Sequence, residues 1–234
     1  MTSPKVAFIT LTNSGYVDYT LNCYESLKNI NSKLVLQSFC IGKDGFDLLT
    51  QKGHKCTFIE NRITEFQSYK NSVDWWYITL SKLSLIYAGL LNNDYVLLTD
   101  GDIVYEKNGF CDYLLENIGD NDMLCQQEGL DGDGNMYYCT GFMFIKSNEK
   151  TIDFFHEKNT STCIRNDGII DDQDYININL DKIKISPLPL ELFPNGRYYY
   201  ENSENISPYM IHFNWVVGHE KKEKMKKHGK WFLP

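Results

Sequence analysis

The sequence has no apolar run that approaches the roughly 20 residues of a transmembrane helix. It also has no charged N-terminal segment followed by an apolar one, as a secretory signal peptide has. Its seven cysteines are odd in number and never occur as a Cys-x-x-Cys pair. This pattern favours buried free thiols in a reducing compartment over a disulfide framework. We therefore expect a soluble, cytoplasmic protein.

Positive charge is also scarce. There are 23 Lys and Arg against 31 Asp and Glu, and the formal net charge of −8 argues against a nucleic-acid-binding surface. An anionic ligand would need local help from a metal ion, a few lysines or helix N-termini. Hydrophobic residues make up 42% of the 234 residues, which is ordinary for a globular protein. A chain of this length can bury a full core without disulfides.

Short apolar runs alternate with helical patterns along the chain. In the first half, strands are predicted at 6–11, 34–41, 56–59 and 94–99, and helices at 17–30, 44–52 and 73–91. Farther on, strands are predicted at 123–126 and 137–145, and helices at 108–117, 148–158 and 171–180. From residue 183 onward the pattern is irregular. The alternation predicts an α/β fold with a mostly parallel, doubly wound sheet, and the lack of a repeat or linker predicts one domain.

The segment from 94 to 105 is the most informative one. Asp100 and Asp102, separated by Gly101, directly follow an apolar strand. In an open α/β sheet, ligands bind outside the carboxyl ends of the strands, and hard carboxylate oxygens suit Mg²⁺ or Mn²⁺. Asp-Gly-Asp is also good turn chemistry, so a polar turn is the alternative.

Lys82 lies within the long helical pattern at 73–91. Its neighbours three and four positions away are Ile78, Thr79, Leu85 and Ile86. A lysine on such a face either extends its ammonium past apolar surface to solvent or meets a buried anion.

A second acidic cluster comprises Asp171, Asp172, Gln173 and Asp174. Acidic side chains at a helix start are stabilised by the positive end of the helix dipole, so N-capping is the simplest interpretation. Three Asp and a Gln exceed what capping needs, and a carboxylate with an amide could face an electron-poor carbon of a substrate.

His212 lies between Ile211 and Phe213, where a lone histidine is more often a satisfied core or surface residue. Imidazole can also complete a cation site whose other ligands are two carboxylates. Gly218 and Lys221 follow, and lysines there could meet phosphate. The run 221–230 otherwise predicts a basic helical tail with a solvated face.

The segment 131–135 resembles the start of a calcium loop. It lacks the glutamate at the twelfth position and the flanking helices of such a loop. We interpret it as a surface turn between two strands.

Together these residues resemble the nucleotide-diphospho-sugar transferases, glycosyltransferases with the GT-A fold. In that family an apolar strand ends in Asp-x-Asp, matched by Asp100-Gly101-Asp102, and a preceding helix carries a donor-binding lysine, matched by Lys82. The run from Asp172 to Asn177 resembles the Asp-Gln-Asp-x-x-Asn of glycogenin-like and bacterial lipopolysaccharide galactosyltransferases, which retain anomeric configuration.

The C-terminal metal motif of that family, His-x-x-Gly-x-x-Lys-Pro-Trp, is matched less closely. His212 is followed by Gly218 and Lys221, so the His-to-Gly interval is longer, and Pro-Trp is missing. This departure suggests a divergent branch, near the small transferases of large DNA viruses, protists and bacteria.

The resemblance implies a metal-dependent transferase with a Rossmann-like, mostly parallel sheet. Its nucleotide-binding half would span about 1–105, and its acceptor half and C-terminal wrap about 106–234. Asp100, Asp102 and His212 would hold Mn²⁺ or Mg²⁺. The residues implied to contact a nucleotide-sugar donor, a UDP-sugar by preference, are Thr10, Thr12, Tyr16, Lys82, Asp100, Gly101, Asp102, Gly218 and Lys221.

Asp172, Gln173 and Asp174 would be the catalytic residues, next to the transferred sugar. Gln173 cannot act as a base, so this segment favours retention over inversion. The acceptor would be a glycan or another hydroxyl compound, and the segment 139–142 resembles the acceptor side of the family's site.

Two other functions compete with this one. A sugar-nucleotide pyrophosphorylase uses a Gly-rich N-terminal loop with an arginine, whereas the turn 11–16 has one Gly and no Arg or Lys. A carbohydrate- or nucleotide-sugar-binding protein that lost turnover is the alternative outside the enzymes. The retained acidic motifs and His212 weigh against it. The sequence leaves the sugar, the acceptor and the oligomeric state open.

Overall fold

The computed structural model describes residues 3–31, 33–60, 73–165 and 168–234. Within these ranges the α-helices are α1 (Val17–Ile30), α2 (Lys43–Gln51), α3 (Val73–Leu90), α4 (Phe110–Asn117), α5 (Glu149–Phe155), α6 (Glu157–Thr160), α7 (Asp172–Asn177), α8 (Gly196–Asn202) and α9 (His219–Lys227). The strands are β1 (Val6–Asn13), β2 (Gln37–Ile41), β3 (Cys56–Ile59), β4 (Tyr95–Thr99), β5 (Ile103–Tyr105), β6 (Met123–Leu130), β7 (Met136–Lys146), β8 (Ile164–Arg165), β9 (Gly168–Ile169), β10 (Ile185–Pro187) and β11 (Met210–His212).

Seven of these strands form one mostly parallel sheet in the order β10-β6-β7-β4-β1-β2-β3. Neighbouring strands are parallel except at β7, which runs antiparallel to both β4 and β6. The predicted fold class is therefore confirmed. Two antiparallel pairs, β11-β5 and β8-β9, complete the strand pairing of the described residues.

Helices cover both faces of the sheet because alternate strand residues point to opposite sides. Phe8 and Leu97 pack into one apolar cluster, with residues of α1 and α4. Their neighbours Ile9 and Leu98 pack into a second cluster, with residues of α3, α5 and α7. The central strands are thus buried on both faces, as their apolar composition predicts.

The element boundaries differ from the sequence predictions at several places. β1 continues to Asn13, two residues beyond its predicted end. The helix predicted at 148–158 is split, because His156 has extended backbone (φ −65°, ψ 141°) between α5 and α6. The region after 183 contains β10, α8 and β11, and strands of three residues are too short to show a period.

The segment 131–135 forms the surface turn that the sequence predicts. Asp131 Oδ1 accepts backbone hydrogen bonds from Asp133 (3.0 Å) and Asn135 (2.7 Å), which confirms a turn between β6 and β7. All seven cysteines are free thiols. Across the described ranges, no helix combines the length and apolarity needed to cross a bilayer.

Candidate active site

The Asp-Gly-Asp turn leaves the central strand β4 at the carboxyl edge of the sheet. The backbone N–H of Asp100 donates to the carbonyl of Gly141 on β7 at 2.7 Å. Gly101 has no room for a side chain, because a Cβ would lie 2.5 Å from Thr20 Oγ1 on α1. Close packing of α1 therefore requires glycine between the two aspartates.

Pairing of β5 with β11 brings His212 beside this turn. His212 pairs with Ile103, and the N–H of Phe213 donates to the carbonyl of Asp102 at 3.1 Å. His212 Nε2 lies 3.3 Å from Asp102 Oδ1 and 3.9 Å from Asp100 Oδ2. The ring fills the space above Gly141, where a Cβ would be 2.1 Å from His212 Cε1.

Gln126 on β6 orients the His212 ring and accepts the proton of its Nδ1. Its amide Nε2 donates to the carbonyls of Phe193 (3.1 Å) and Pro194 (2.9 Å), which uses both amide protons. The amide oxygen therefore faces His212 Nδ1, at 2.7 Å, and accepts its proton. His212 Nε2 is the ring nitrogen that faces the two aspartates.

These three side chains fit a divalent cation. One ligand atom from each of Asp100, Asp102 and His212 lies within 4.8 Å of the others. Each of these atoms can offer an electron pair to a cation, the imidazole nitrogen in its neutral form. Two carboxylate oxygens with one imidazole nitrogen suit Mn²⁺ or Mg²⁺.

Lys82 of α3 contacts a buried anion, which decides between the two interpretations of this residue. Its Nζ lies 2.7 Å from Asp100 Oδ1 and 3.3 Å from Asp172 Oδ2. Burial lowers the pKa of Lys82, but the two carboxylates outweigh burial and hold this pKa above its ordinary value. Lys82 thus joins the Asp-Gly-Asp turn to the start of α7.

The acidic residues at the start of α7 divide between capping and the site. Asp171 is the N-cap, and its Oδ1 accepts from the N–H of Asp174 at 2.8 Å. Burial and the neighbouring Asp172 raise the pKa of Asp171 to about 6. Burial also raises the pKa of Asp172, although Lys82 partly offsets it. Gln173 Oε1 accepts from the N–H of Thr140 at 3.4 Å.

Lys221 lies in the site despite the longer interval after His212. Its Nζ donates to the hydroxyl of Tyr16 at 2.7 Å and to Asp102 Oδ2. Burial acts to raise the pKa of Asp102, but Lys221 and then His212 outweigh it and hold this pKa well below its usual range. Lys221 is buried in the site, so the solvated face predicted for the tail does not include this residue.

These side chains surround a cavity of about 540 Å³. The predicted site residues that line it are Thr12, Tyr16, Lys82, Asp100, Gly101, Asp102, Asp172, Gln173, His212 and Lys221.

Three predicted site residues, Thr10, Asp174 and Gly218, are not among the residues that line the cavity. Thr10 is fully buried within β1. Asp174 is turned toward Tyr137, whose hydroxyl donates to Asp174 Oδ1 at 2.9 Å. Gly218 precedes α9, and its carbonyl accepts from Tyr19.

Several residues of this site are not marked by any local sequence motif. Gln126 is 86 residues from His212, so no local pattern connects them. Glu128, Asn214 and Trp215 also line the cavity. Glu128 lies on β6, beyond the predicted end of that strand, and the other two lie in the loop before α9. For Glu128, the sequence offers one signal, a carboxylate just beyond the predicted apolar strand at 123–126.

Residues 43–226 match the model of the nucleotide-diphospho-sugar transferase family. A curated relative, the UDP-galactose:fucoside alpha-3-galactosyltransferase of Dictyostelium discoideum, is 26% identical over 284 aligned positions, which cover 96% of this chain and 43% of that protein. The chain thus spans less than half the length of that relative.

Solved structures share the fold at low identity. The galactosyltransferase LgtC, in complex with donor and acceptor sugar analogs, has a TM-score of 0.56 at 12% identity, covering 97% of this chain and 96% of its own. The glycosyltransferase GlyE of Streptococcus pneumoniae has a TM-score of 0.63 at 14% identity, covering 100% of this chain and 61% of its own. With most of its length matched by the family model, the chain belongs to the nucleotide-diphospho-sugar transferases and is a glycosyltransferase of the GT-A fold.

Proposed function

We propose that this chain transfers galactose from UDP-galactose to a hydroxyl of a fucoside, with a bound divalent cation and with retention of anomeric configuration. The observation that carries the proposal is the convergence of Asp100, Asp102 and His212 within 4.8 Å, beside two buried lysines. The sugar, nucleotide and acceptor are supported by the name of the Dictyostelium discoideum relative.

The departing diphosphate needs positive charge, because charge develops on its oxygen as the sugar–phosphate bond breaks. Mn²⁺ or Mg²⁺ held by Asp100, Asp102 and His212 would supply that charge as a Lewis acid. Lys221 adds to it. Its ammonium has three N–H donors, and Tyr16 and Asp102 accept from it, so a third N–H can serve a phosphate oxygen.

Asp172 is suited to hold the transferred sugar. Its Oδ2 is buried and is approached by the Lys82 ammonium only to 3.3 Å, so this oxygen can accept a further hydrogen bond. A buried carboxylate oxygen is costly without a donor, and a sugar hydroxyl is a suitable one. Lys82 keeps Asp172 next to Asp100, so the sugar would lie beside the cation site.

Retention follows from what is available at the sugar. At the start of α7, Asp171 caps the helix and Asp172 pairs with Lys82, so Gln173 would offer the sugar an amide and not a free carboxylate. An amide cannot deprotonate an acceptor. The acceptor proton would instead pass to the departing phosphate oxygen, while the bond from C1 to phosphate breaks and the bond from C1 to the acceptor oxygen forms on the same face.

The test is an incubation with UDP-galactose, methyl α-L-fucoside and Mn²⁺. We expect UDP release that EDTA abolishes and Mn²⁺ restores, and an α-linked disaccharide as the first-formed product in proton NMR. A β-linked product would overturn retention. Binding of UDP-galactose without UDP release, with or without the fucoside, would make the protein a binding protein.

A matched pair of variants tests the cation site. Asp102→Asn keeps the side-chain shape and removes the charge, so we expect loss of UDP release. Asp112→Asn removes a carboxylate from an exposed position on α4 and should retain the wild-type rate. Equal rates for the two variants would exclude Asp102 from the site.

We also propose a cytoplasmic location, since all seven cysteines are free thiols and such thiols persist in a reducing compartment. Thiol titration of the denatured protein, isolated without reductant under alkylating conditions, should find seven thiols. A lower count would contradict the proposal.

A further inference from the structure

The backbone of Trp215 is strained. Its φ of 64° is the one positive value at a non-glycine residue in the described part of the chain. A bulky L-residue in the left-handed region costs free energy. Such conformations persist where surrounding structure enforces them, and they cluster at binding sites.

The loop around Trp215 is fixed by hydrogen bonds on its N-terminal side. Asn214 Oδ1 accepts from the N–H of Gly196 at 2.6 Å, and the Asn214 carbonyl accepts from the hydroxyl of Tyr200 at 3.2 Å. Gly196 is needed for this approach, because a Cβ there would lie 2.2 Å from the Asn214 carbonyl oxygen. Contacts of Asn214 with α8 therefore fix the backbone that precedes Trp215.

The indole of Trp215 lies at the cavity and is open to solvent. Trp215 lines the cavity, yet 52% of its surface is exposed. The guanidinium of Arg197 lies 5.6 Å from the ring centroid, at a distance that allows a cation–π contact. Val217, two residues farther on, also lines the cavity and is 51% exposed. An exposed apolar surface thus borders a cavity whose interior is charged.

Glu128 supplies a polar group that is fixed relative to this surface. Asn214 Nδ2 donates to Glu128 Oε2 at 3.1 Å, so the residue before Trp215 holds the carboxylate. Burial raises the pKa of Glu128, although His212, Cys139 and Asn214 partly offset it. The cation site and the sugar-binding carboxylate described above do not use Glu128.

We propose that Trp215 and Glu128 form the acceptor subsite, in which a pyranoside stacks its C–H face on the indole and donates a hydroxyl hydrogen bond to the carboxylate. Aromatic faces bind apolar surface, and a few placed polar groups orient the ligand. A 6-deoxy pyranoside such as a fucoside fits this subsite, since its methyl group extends the apolar surface. The inference rests on the proposed transferase function and assigns its acceptor side.

Trp215→Gly separates binding from structure. Glycine adopts a φ of 64° without strain, so the melting temperature should be unchanged or higher. The loss of stacking should raise the KM for methyl α-L-fucoside about tenfold, with the KM for UDP-galactose changed less than about twofold. Tyr77→Leu is the matched control, because Tyr77 is 41% exposed on α3 and lies outside the cavity lining.

Glu128→Gln tests the polar half of the subsite. Glutamine retains an oxygen for Asn214 but lacks the charge, so we expect the fucoside KM to rise about threefold or more. Wild-type fucoside KM in both variants, or transfer by the wild type to glycerol but to no methyl glycoside, would overturn the inference alone. Failure of the wild type to bind or turn over UDP-galactose with Mn²⁺ would instead defeat the proposed function.

Discussion

His212 Nδ1 donates to Oε1 of Gln126 at 2.7 Å, and this one hydrogen bond decides which nitrogen of the ring faces the aspartates. The amide orientation is fixed in turn by the carbonyls of Phe193 and Pro194. Partners of this kind orient a metal-binding histidine and tune its basicity. Gln126 is therefore a positioning residue for the cation site.

Gln126→Met keeps the volume and removes the acceptor. We expect Mn²⁺ affinity to fall about 10- to 100-fold, measured by isothermal titration calorimetry. Gln127→Met is the control, because Gln127 Nε2 donates to the carbonyl of Leu188 at 2.7 Å and does not contact His212. Equal Mn²⁺ affinities in the two variants would contradict the role of Gln126.

Lys82→Met should destabilise the protein as well as impair donor binding. The Lys82 side chain is 11% exposed and lies between the carboxylates of Asp100 and Asp172. Removal of the ammonium leaves the buried carboxylate of Asp172 and the partly exposed one of Asp100 without their shared cation, which costs about 3 kcal/mol at neutral pH. Urea unfolding measures the loss.

The double variant Lys82→Met with Asp172→Asn separates the two effects. Neutralising Asp172 removes much of the repulsion, so stability at pH 7 should largely return. Turnover of UDP-galactose should not return, since both proposed donor contacts are missing. If the single and double variants were equally unstable, the ion pair would not be what Lys82 contributes to the fold.

The cation site could be predicted because its signal is local. An apolar run followed at once by Asp100 and Asp102 places two carboxylates at the carboxyl edge of a sheet, whichever strands lie beside it. For His212 the residues alone left two alternatives, a core or surface residue and a cation ligand, and the family resemblance favoured the ligand. Its approach depends on the register of β11 against β5, and these strands have only three residues each.

The assignment of the acidic cluster at α7 depended on where the helix begins. Successive helical side chains point about 100° apart, so a boundary shifted by one residue changes which aspartate faces the cavity. The helix begins at Asp172, which places Asp172 and Gln173 in the site and turns Asp174 toward Tyr137. Helix boundaries are the least certain part of a sequence prediction.

The positive φ at Trp215 is not predicted by any sequence pattern either.

Asp171→Asn should make the stability of the protein less dependent on pH. The pKa of Asp171 is raised to about 6 in the folded protein, against about 3.9 in an unfolded chain. The folded state therefore prefers the protonated carboxyl. The stability that this preference gives is present below about pH 4 and is lost as pH rises through 6.

Asparagine is an equally good N-cap and carries no charge. At pH 7.5 we expect Asp171→Asn to be more stable than the wild type by about 1 kcal/mol, discounted for solvent screening, or about 2–4 °C in melting temperature. At pH 4 the difference should vanish. A constant loss of stability at both pH values would show that the geometry of the cap matters more than its charge.

Gly101→Ala should damage the cation site by steric conflict with α1. The added methyl group would lie 2.5 Å from Thr20 Oγ1, and this hydroxyl is itself held by a hydrogen bond to Thr12 at 2.8 Å. Overpacking of this kind costs about 1–3 kcal/mol. Relief of the conflict would move Asp100 and Asp102 apart, so Mn²⁺ binding should weaken together with stability.

The double variant Gly101→Ala with Thr20→Ala tests whether that conflict is the cause. Thr20→Ala removes the hydroxyl and leaves the Cβ of residue 20, which would lie 3.5 Å from the new methyl group, an ordinary contact. The double variant should therefore recover most of the lost stability and Mn²⁺ affinity, as measured by thermal unfolding and calorimetry. If it binds Mn²⁺ as weakly as Gly101→Ala alone, the glycine serves the backbone conformation of the turn, and its closeness to α1 is incidental.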